Sequence, residues 1–190
     1  MSVVWGEEAS ATDRALVEAQ LGRSLRGTWR VARRCHLGVP MVVETHPRLE
    51  DGTPFPTLFW LTCPLLVKRA SHLEAEGFMS VLTQKLARPK GGVPSTSLGE
   101  AQRSSAEAQR LTTEIAFAER QQSALDRYVS RRNELAPTEG PQPGGGADRI
   151  KCLHAHLAHE VADAPNPVGA ATLARTGWPD CTLPCVEPKG

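Results

Sequence analysis

Three short stretches in the first third of the chain have the composition of β-strands, and in the first of them apolar and polar residues alternate. They run over 28–35, 40–45 and 57–63. All three are rich in β-branched and aromatic residues, and Gly38 and the pair Asp51 and Gly52 mark turns between them. The pattern predicts a small antiparallel sheet of three strands. In a meander the first and third strands run the same way, so Cys35 and Cys63 are expected at one edge of the sheet.

Helical spacing of apolar residues predicts helices before and after these strands. They cover 13–21, 64–77, 78–88, 100–136 and 148–163, with a short one at 170–175. Thr12 and Asp148 are the expected N-caps of the first and fifth helices, and Gly22 is placed to end the first. The fold class is therefore α+β, with a small antiparallel three-stranded sheet packed with several helices, one of them long.

The chain is predicted to form one domain with four parts. These are an N-terminal helix (1–22), the sheet and its helices (23–88), a flexible break and long helix (89–136), and the Cys/His helix with the C-terminal tail (137–190). Apolar residues are sparse in the long helix, so only its second half needs to pack on the domain. Its first half is expected to be a solvated arm, and the alternative is a helix that binds a protein partner.

The charges nearly cancel, with 22 basic and 21 acidic residues among 190. A balanced chain has no overall field that would draw it to nucleic acid or anionic lipid. The first residues lack a signal-peptide pattern, and no stretch has the roughly 18 apolar residues of a membrane span. The sequence predicts a cytoplasmic protein without a membrane partner. Its five cysteines are then expected to be reduced thiols or metal ligands, with simple core packing as the alternative.

The fifth predicted helix carries the densest set of reactive side chains. At 100° per residue, Cys152, His156, His159 and Asp163 share one face, opposite an apolar stripe. Thiolate, imidazole and carboxylate groups on successive turns can bind one zinc ion. Taken alone, the helix favours the alternative of a solvated polar face. His154 falls on the apolar side, where a core histidine or a group that supports the ligands is expected.

The other cysteines strengthen the case for a site. Cys63 immediately precedes Pro64 at a predicted helix start, where the helix dipole is expected to lower the pKa of a thiol. A thiolate suits both a metal ion and an electrophilic substrate. Cys181 and Cys185 form a C-x3-C pair, a spacing that permits a metal without identifying one.

Several motifs together resemble an actinobacterial domain-of-unknown-function family, number 501. They are RVARRC, VVETHPRLEDGTPFPTLFWLTCP, RIKCLHAHLAH, NPVG and PCV. The resemblance extends from Leu21 to Val186, and DGTPFPT, LTCP and KCLH are specific in combination. The family has no established activity, so the resemblance supplies a pattern of residues rather than a function.

The family's motif positions are met here by eight residues: Cys35, Cys63, Cys152, His154, His159, Asn166, Gly169 and Cys185. The chain departs from the pattern at Leu37, where the family often has a second cysteine, and its His156 and Cys181 look particular to this chain. The resemblance implies a metal site of four cysteines, Cys35, Cys63, Cys152 and Cys185, with His159. Four thiols suit one zinc ion or one iron-sulfur cluster, and buried reduced thiols are the alternative.

Three functions remain open from the sequence. The first is a cytoplasmic protein that binds zinc or an iron-sulfur cluster in a structural or regulatory role. The second is a thiol-dependent enzyme with Cys63 or Cys152 as nucleophile and His154 or His159 as base. The third is a module that binds RNA or a phosphorylated ligand through basic residues near Trp29 and Trp60. Those basic residues are Arg30, Arg33, Arg34, Arg48, Lys68 and Arg69.

Overall fold

A computed structural model of the chain describes residues 6–55, 57–87, 105–137, 145 and 149–187. The strands in these segments are β1 (Glu7–Glu8), β2 (Trp29–Arg34), β3 (Pro40–Thr45) and β4 (Phe59–Leu61). The helices are α1 (Ala11–Leu21), α2 (Pro64–Ala75), α3 (Phe78–Leu86), α4 (Ser105–Leu135), α5 (Leu153–Asp163) and α6 (Pro167–Thr176). None of the helices described here is long and apolar enough to cross a membrane.

The strands form one antiparallel sheet in the order β1-β2-β3-β4. The three predicted strands are present, but the prediction of a three-stranded sheet is wrong because β1 adds a fourth. Two adjacent glutamates form no alternating pattern, so this strand could not be predicted from the sequence. Glu7 pairs with Val31 and also accepts a hydrogen bond from Arg34 at 2.9 Å.

The first helix begins two residues earlier than its pattern indicated, because Ser10 rather than Thr12 is its N-cap. The Ser10 hydroxyl accepts from the Asp13 amide at 3.1 Å, and the Asp13 carboxylate accepts from the Ser10 amide at 3.0 Å. This reciprocal pair satisfies two backbone groups at the helix start. The helix ends at Gly22, which adopts the left-handed conformation with φ of 68° as predicted.

The central helix of the fold is α5, which lies between the sheet and α6. It packs on β4 and β3 on one side and on α6 on the other. Burial on two sides explains why six of its eleven residues are buried, among them Leu153, Leu157 and Val161. The predicted solvated face therefore does not exist on this helix.

The long helix α4 packs mainly through its second half, as its sparse apolar residues predicted. Ala124, Leu125 and Tyr128 are fully buried, and the Tyr128 hydroxyl accepts a hydrogen bond from the Leu58 backbone amide at 2.5 Å. Nearer its start, Ile115 is exposed. The predicted residues 100–104 of this helix lie outside the described residues.

Candidate metal centre

Three side chains from two helices converge beside the start of α5. They are Glu74 in the last turn of α2, Cys152 immediately before α5, and His154 in the first turn of α5. One carboxylate oxygen, one sulfur and one imidazole nitrogen lie within 4.8 Å of one another. Among the residues that the structure describes, no other three histidine, cysteine or acidic residues meet this criterion.

The convergence depends on where α5 begins. The helix was predicted from Asp148, which lies outside the described residues, but the structure begins it at Leu153. Cys152 is extended, with φ of −155° and ψ of 114°. Glu74 supplies the missing cap, since its Oε1 accepts the Leu153 amide at 2.6 Å. A residue on another helix thus fixes the position of Cys152 against His154.

The orientation of the His154 ring follows from its Nε2 atom. This nitrogen lies 3.1 Å from the Val67 carbonyl oxygen and 3.1 Å from the Ser71 hydroxyl, which itself donates to the same carbonyl at 2.9 Å. A carbonyl oxygen can only accept, so Nε2 carries a hydrogen. In a neutral ring Nδ1 then has its lone pair exposed towards Glu74 and Cys152. A backbone carbonyl on the far nitrogen is a common support for a metal-binding histidine.

Nδ1 of His154 lies 3.8 Å from the Cys152 sulfur and 3.1 Å from Oε1 of Glu74. Nδ1 of the neutral ring and Oε1 of Glu74 are both acceptors and lie beside the Cys152 sulfur, so a cation held between them is favourable. Without a metal this cation is a proton: contact with Cys152 and the charge of Glu74 raise the pKa of His154 to about 9, although partial burial opposes the shift. The same atoms can hold a metal ion in place of the proton.

The distances suit zinc. With the usual bond lengths of roughly 2.0–2.3 Å and tetrahedral angles, nitrogen and oxygen ligands sit about 3.3 Å apart and nitrogen and sulfur about 3.6 Å apart. The observed separations of 3.1 Å and 3.8 Å differ from these by only a few tenths of an ångström. The side chains of Glu74 and His154 are 24% and 25% exposed, so solvent reaches the group.

The predicted cysteine ligands fall into two places. Cys35, Cys63 and Cys185 line one small cavity, and Cys181 joins them. Cys35 and Cys63 thus meet at one edge of the sheet, as the strand order predicted. Cys152 lies with Glu74 instead, and Glu74 is eleven residues beyond Cys63 on α2, or about 16 Å along the helix axis. The structure does not bring the four predicted cysteines together.

The expectation of a low pKa for Cys63 is wrong. Burial raises the pKa of this thiol, and it outweighs the amides of Leu65 and Leu66, which point at the sulfur and lower it. The side chain is 5% exposed, so the loss of hydration is larger than the effect of the helix start. Cys63 is consequently a protonated thiol at neutral pH and a poor nucleophile by itself.

The two histidine roles are exchanged relative to the prediction. His154, expected in the core, belongs to the convergent group, whereas His159 is 1% exposed and is not part of that group. His159 stacks on Phe59 with a ring separation of 5.6 Å, and its Nδ1 lies 3.0 Å from the side-chain amide nitrogen of Asn166. His156 is equally buried, with Nδ1 3.4 Å from the same nitrogen. The prediction that Cys152, His156 and His159 share one helix face failed because it assumed that Cys152 was helical and that one face of α5 was solvated.

Three of the six basic residues considered for ligand binding donate hydrogen bonds within the chain. Arg34 bonds to Asp13 at 2.6 Å, and Arg69 donates to the Thr176 carbonyl at 2.9 Å. Arg48 donates to the Pro137 carbonyl at 2.7 Å. These contacts occupy donors that an RNA or phosphate ligand would need.

Sequence reasoning missed Glu74. One signal was available, because a carboxylate in the last turn of a helix faces the negative end of the helix dipole. Such a residue needs a compensating partner, and in the structure Leu153 and His154 provide it. The sequence does not indicate which partner that is, because the two helices are separated by α3 and α4.

A family model described as protein of unknown function (DUF501) matches residues 31–174. The match covers most of the chain and includes Glu74, Cys152 and His154, whereas Cys181 and Cys185 follow it. No curated protein and no solved structure matches the chain.

Proposed function

The chain belongs to the DUF501 family, whose function is unknown, and we propose that it binds one zinc ion through Glu74, Cys152 and His154. The observation that carries this proposal is the meeting of sulfur, imidazole nitrogen and carboxylate oxygen within 4.8 Å. The fixed hydrogen on Nε2 of His154 supports it, because it leaves Nδ1 as the ligand atom.

Zinc suits this group better than an iron-sulfur cluster. Clusters are held mainly by cysteine thiolates, and this group supplies one thiol. Zinc accepts sulfur, nitrogen and oxygen ligands together. Calcium and magnesium, which prefer oxygen ligands, are disfavoured by the sulfur and the imidazole.

Three protein ligands leave a fourth position on a tetrahedral ion. Because the group is partly exposed, water or a small anionic ligand can occupy that position. The ion joins the end of α2 to the start of α5, so its binding stabilises the central helix and gives the site a structural or regulatory role. The cytoplasm, a reducing compartment, suits a site that needs a free thiol, and all five cysteines are unpaired.

The test is a metal-binding titration of the full chain, purified without oxygen. We expect His154→Asn and Cys152→Ser to lose zinc at this site, with affinity reduced at least about a hundredfold. His72→Asn is the matched control, since His72 is an exposed histidine on α2, two residues from Glu74. Unchanged zinc affinity in the His154 and Cys152 variants would refute the proposal.

The second candidate is a thiol-dependent enzyme with Cys152 as nucleophile. It is favoured by the 3.8 Å separation of the Cys152 sulfur from His154 and by the position of Cys152 at a helix start. Alkylation kinetics separate the two functions. A metal ligand reacts slowly when zinc is present and faster after chelation, whereas a catalytic thiol reacts at a rate that chelation leaves unchanged.

A further inference from the structure

A second group of cysteines lies at the other end of α2. Cys35 follows β2, Cys63 precedes α2, and Cys181 and Cys185 belong to the C-terminal tail. All four line one cavity of about 10 Å³ with Gln20 and His36. Three separate parts of the chain therefore bring four sulfur ligands to a single small space.

We propose that these four cysteines form a second, all-thiolate zinc site that fastens the C-terminal tail to the end of the sheet. The site is separate from Glu74, Cys152 and His154 and does not depend on the function proposed for them. Four cysteines around one ion are a common structural zinc site. Cys181, which looked particular to this chain, takes the place that the family resemblance gave to Cys152.

The cavity that the four cysteines line is small. About 10 Å³ is close to the smallest space that holds one water-sized occupant, which admits a single ion. A four-iron cluster, which contains eight iron and sulfide atoms, needs more room than a single ion. We therefore propose one zinc ion rather than an iron-sulfur cluster.

N–H groups around the cavity can donate hydrogen bonds to the negatively charged thiolates. The amides of Leu65 and Leu66 point at the Cys63 sulfur from the start of α2. The Gln20 side-chain amide lies 3.7 Å from the Cys185 sulfur and also donates to the Pro40 carbonyl at 2.9 Å. Such N–H groups stabilise metal-bound thiolates in the way that supporting hydrogen bonds do elsewhere.

The tail is placed to close around the ion. Nε2 of His36 lies 2.7 Å from the Cys181 carbonyl oxygen, and Arg69 pairs with Asp180 at 3.3 Å, so the segment already rests on the sheet and on α2. No three of the four sulfurs lie within 4.8 Å of one another, whereas sulfurs on one zinc ion are about 3.8 Å apart. Over 177–187, the part of the tail that the structure describes, there is no helix or strand, so the tail can move inward while Cys35 and Cys63 stay fixed.

The experiment titrates the full chain with cobalt(II), then zinc, in oxygen-free buffer with a phosphine reductant. We expect two ions per chain, with about four-fifths of the sulfur-to-cobalt absorption coming from this site because it supplies four of five thiolates. Cys185→Ser should lose one ion or bind it at least about tenfold more weakly. Cys185 is exposed, so this variant is expected to fold, and Leu183→Ser on the same exposed tail is the matched control.

Hydrogen exchange of residues 177–187 gives a second readout. Zinc should slow exchange in this segment of the wild type and the Leu183 control, but not in Cys185→Ser. Cys152→Ser should lose the other ion and keep the protection of the tail, which separates failure of this proposal from failure of the first. Full metal content in Cys185→Ser, or no zinc-dependent protection of the tail, would overturn the proposal.

Discussion

The sulfur of Cys152 lies 3.8 Å from Nδ1 of His154, although side chains two residues apart on a helix point in different directions. The contact exists because Cys152 is extended and His154 is helical, so the backbone turns between them. Glu74 holds this turn in place by accepting the first amide of α5. The site is consequently a property of the helix start rather than of a helix face.

Zinc binding at this centre should weaken as the pH falls. The pKa of His154 is raised to about 9, first by contact with Cys152 and then by Glu74, so zinc must displace a proton from Nδ1 at lower pH. The apparent affinity is expected to drop at least about tenfold per pH unit below pH 9. Competition with a coloured chelator at several pH values measures this slope. An affinity that does not change with pH would exclude His154 as a ligand.

Glu74→Gln should lower the pKa of His154 while leaving α5 capped. The amide oxygen of glutamine can still accept from Leu153, but the negative charge that favours the imidazolium is removed. NMR titration of the His154 ring should show a pKa shifted towards the ordinary value of about 6.5. The stability of this variant should stay close to that of the wild type, whereas Glu74→Ala should lose about 1–2 kcal/mol because the cap is lost as well. A His154 pKa that stays near 9 in Glu74→Gln would show that the carboxylate has no part in the shift.

The sheet and most helices follow from the sequence because their signals are local. Pro40–Thr45 is a β-branched run that forms β3 with the expected bounds, and Pro64 begins α2 as expected. Cys35 and Cys63 could also be placed at one edge, because strand order in a meander fixes strand direction.

The candidate metal centre could be predicted only in part, because its geometry is not local. Cys152 was identified from its residue type, but its partner Glu74 comes from α2, which is separated from α5 by two other helices. The burial of His159 was also missed, since it depends on Phe59 of β4 and Tyr128 of α4 packing against a face that the sequence presents as polar. Tertiary packing therefore decided which histidine was available as a ligand.

Stability should fall in mild acid because of His159. Burial, together with nearby positive groups, lowers the pKa of His159 from 6.5 to about 3, so the folded ring stays neutral. In the unfolded chain it takes up a proton as the pH falls below 6.5. The stabilisation is present above this value and is lost progressively as the pH falls towards 3. Lowering the pH from 7 to 5 should reduce the free energy of unfolding by about 2 kcal/mol through this histidine alone.

Urea unfolding at the two pH values tests this expectation with His159→Gln as the comparison. Glutamine keeps an oxygen that can accept from Asn166 but takes up no proton. The variant should therefore lose about 2 kcal/mol less stability between pH 7 and pH 5 than the wild type does. The informative quantity is the difference between the pH effects, since the variant is also expected to be less stable at neutral pH. Equal pH effects in both proteins would mean that the buried ring is protonated in the folded state.

Gly169→Ala should destabilise the protein strongly, because α5 and α6 touch at this residue. A Cβ atom here would collide with the carbonyl oxygen of His156 and lie only 2.5 Å from the Cβ of Glu160. Backbone cannot rotate away as a side chain can, so the helices must separate, at a cost of about 3 kcal/mol. Ala170→Gly is the matched control: it is the next residue of α6, is exposed, and should cost about 1 kcal/mol from helix propensity alone. Thermal unfolding compares the two variants, and equal small losses would show that α5 and α6 are not in contact at Gly169.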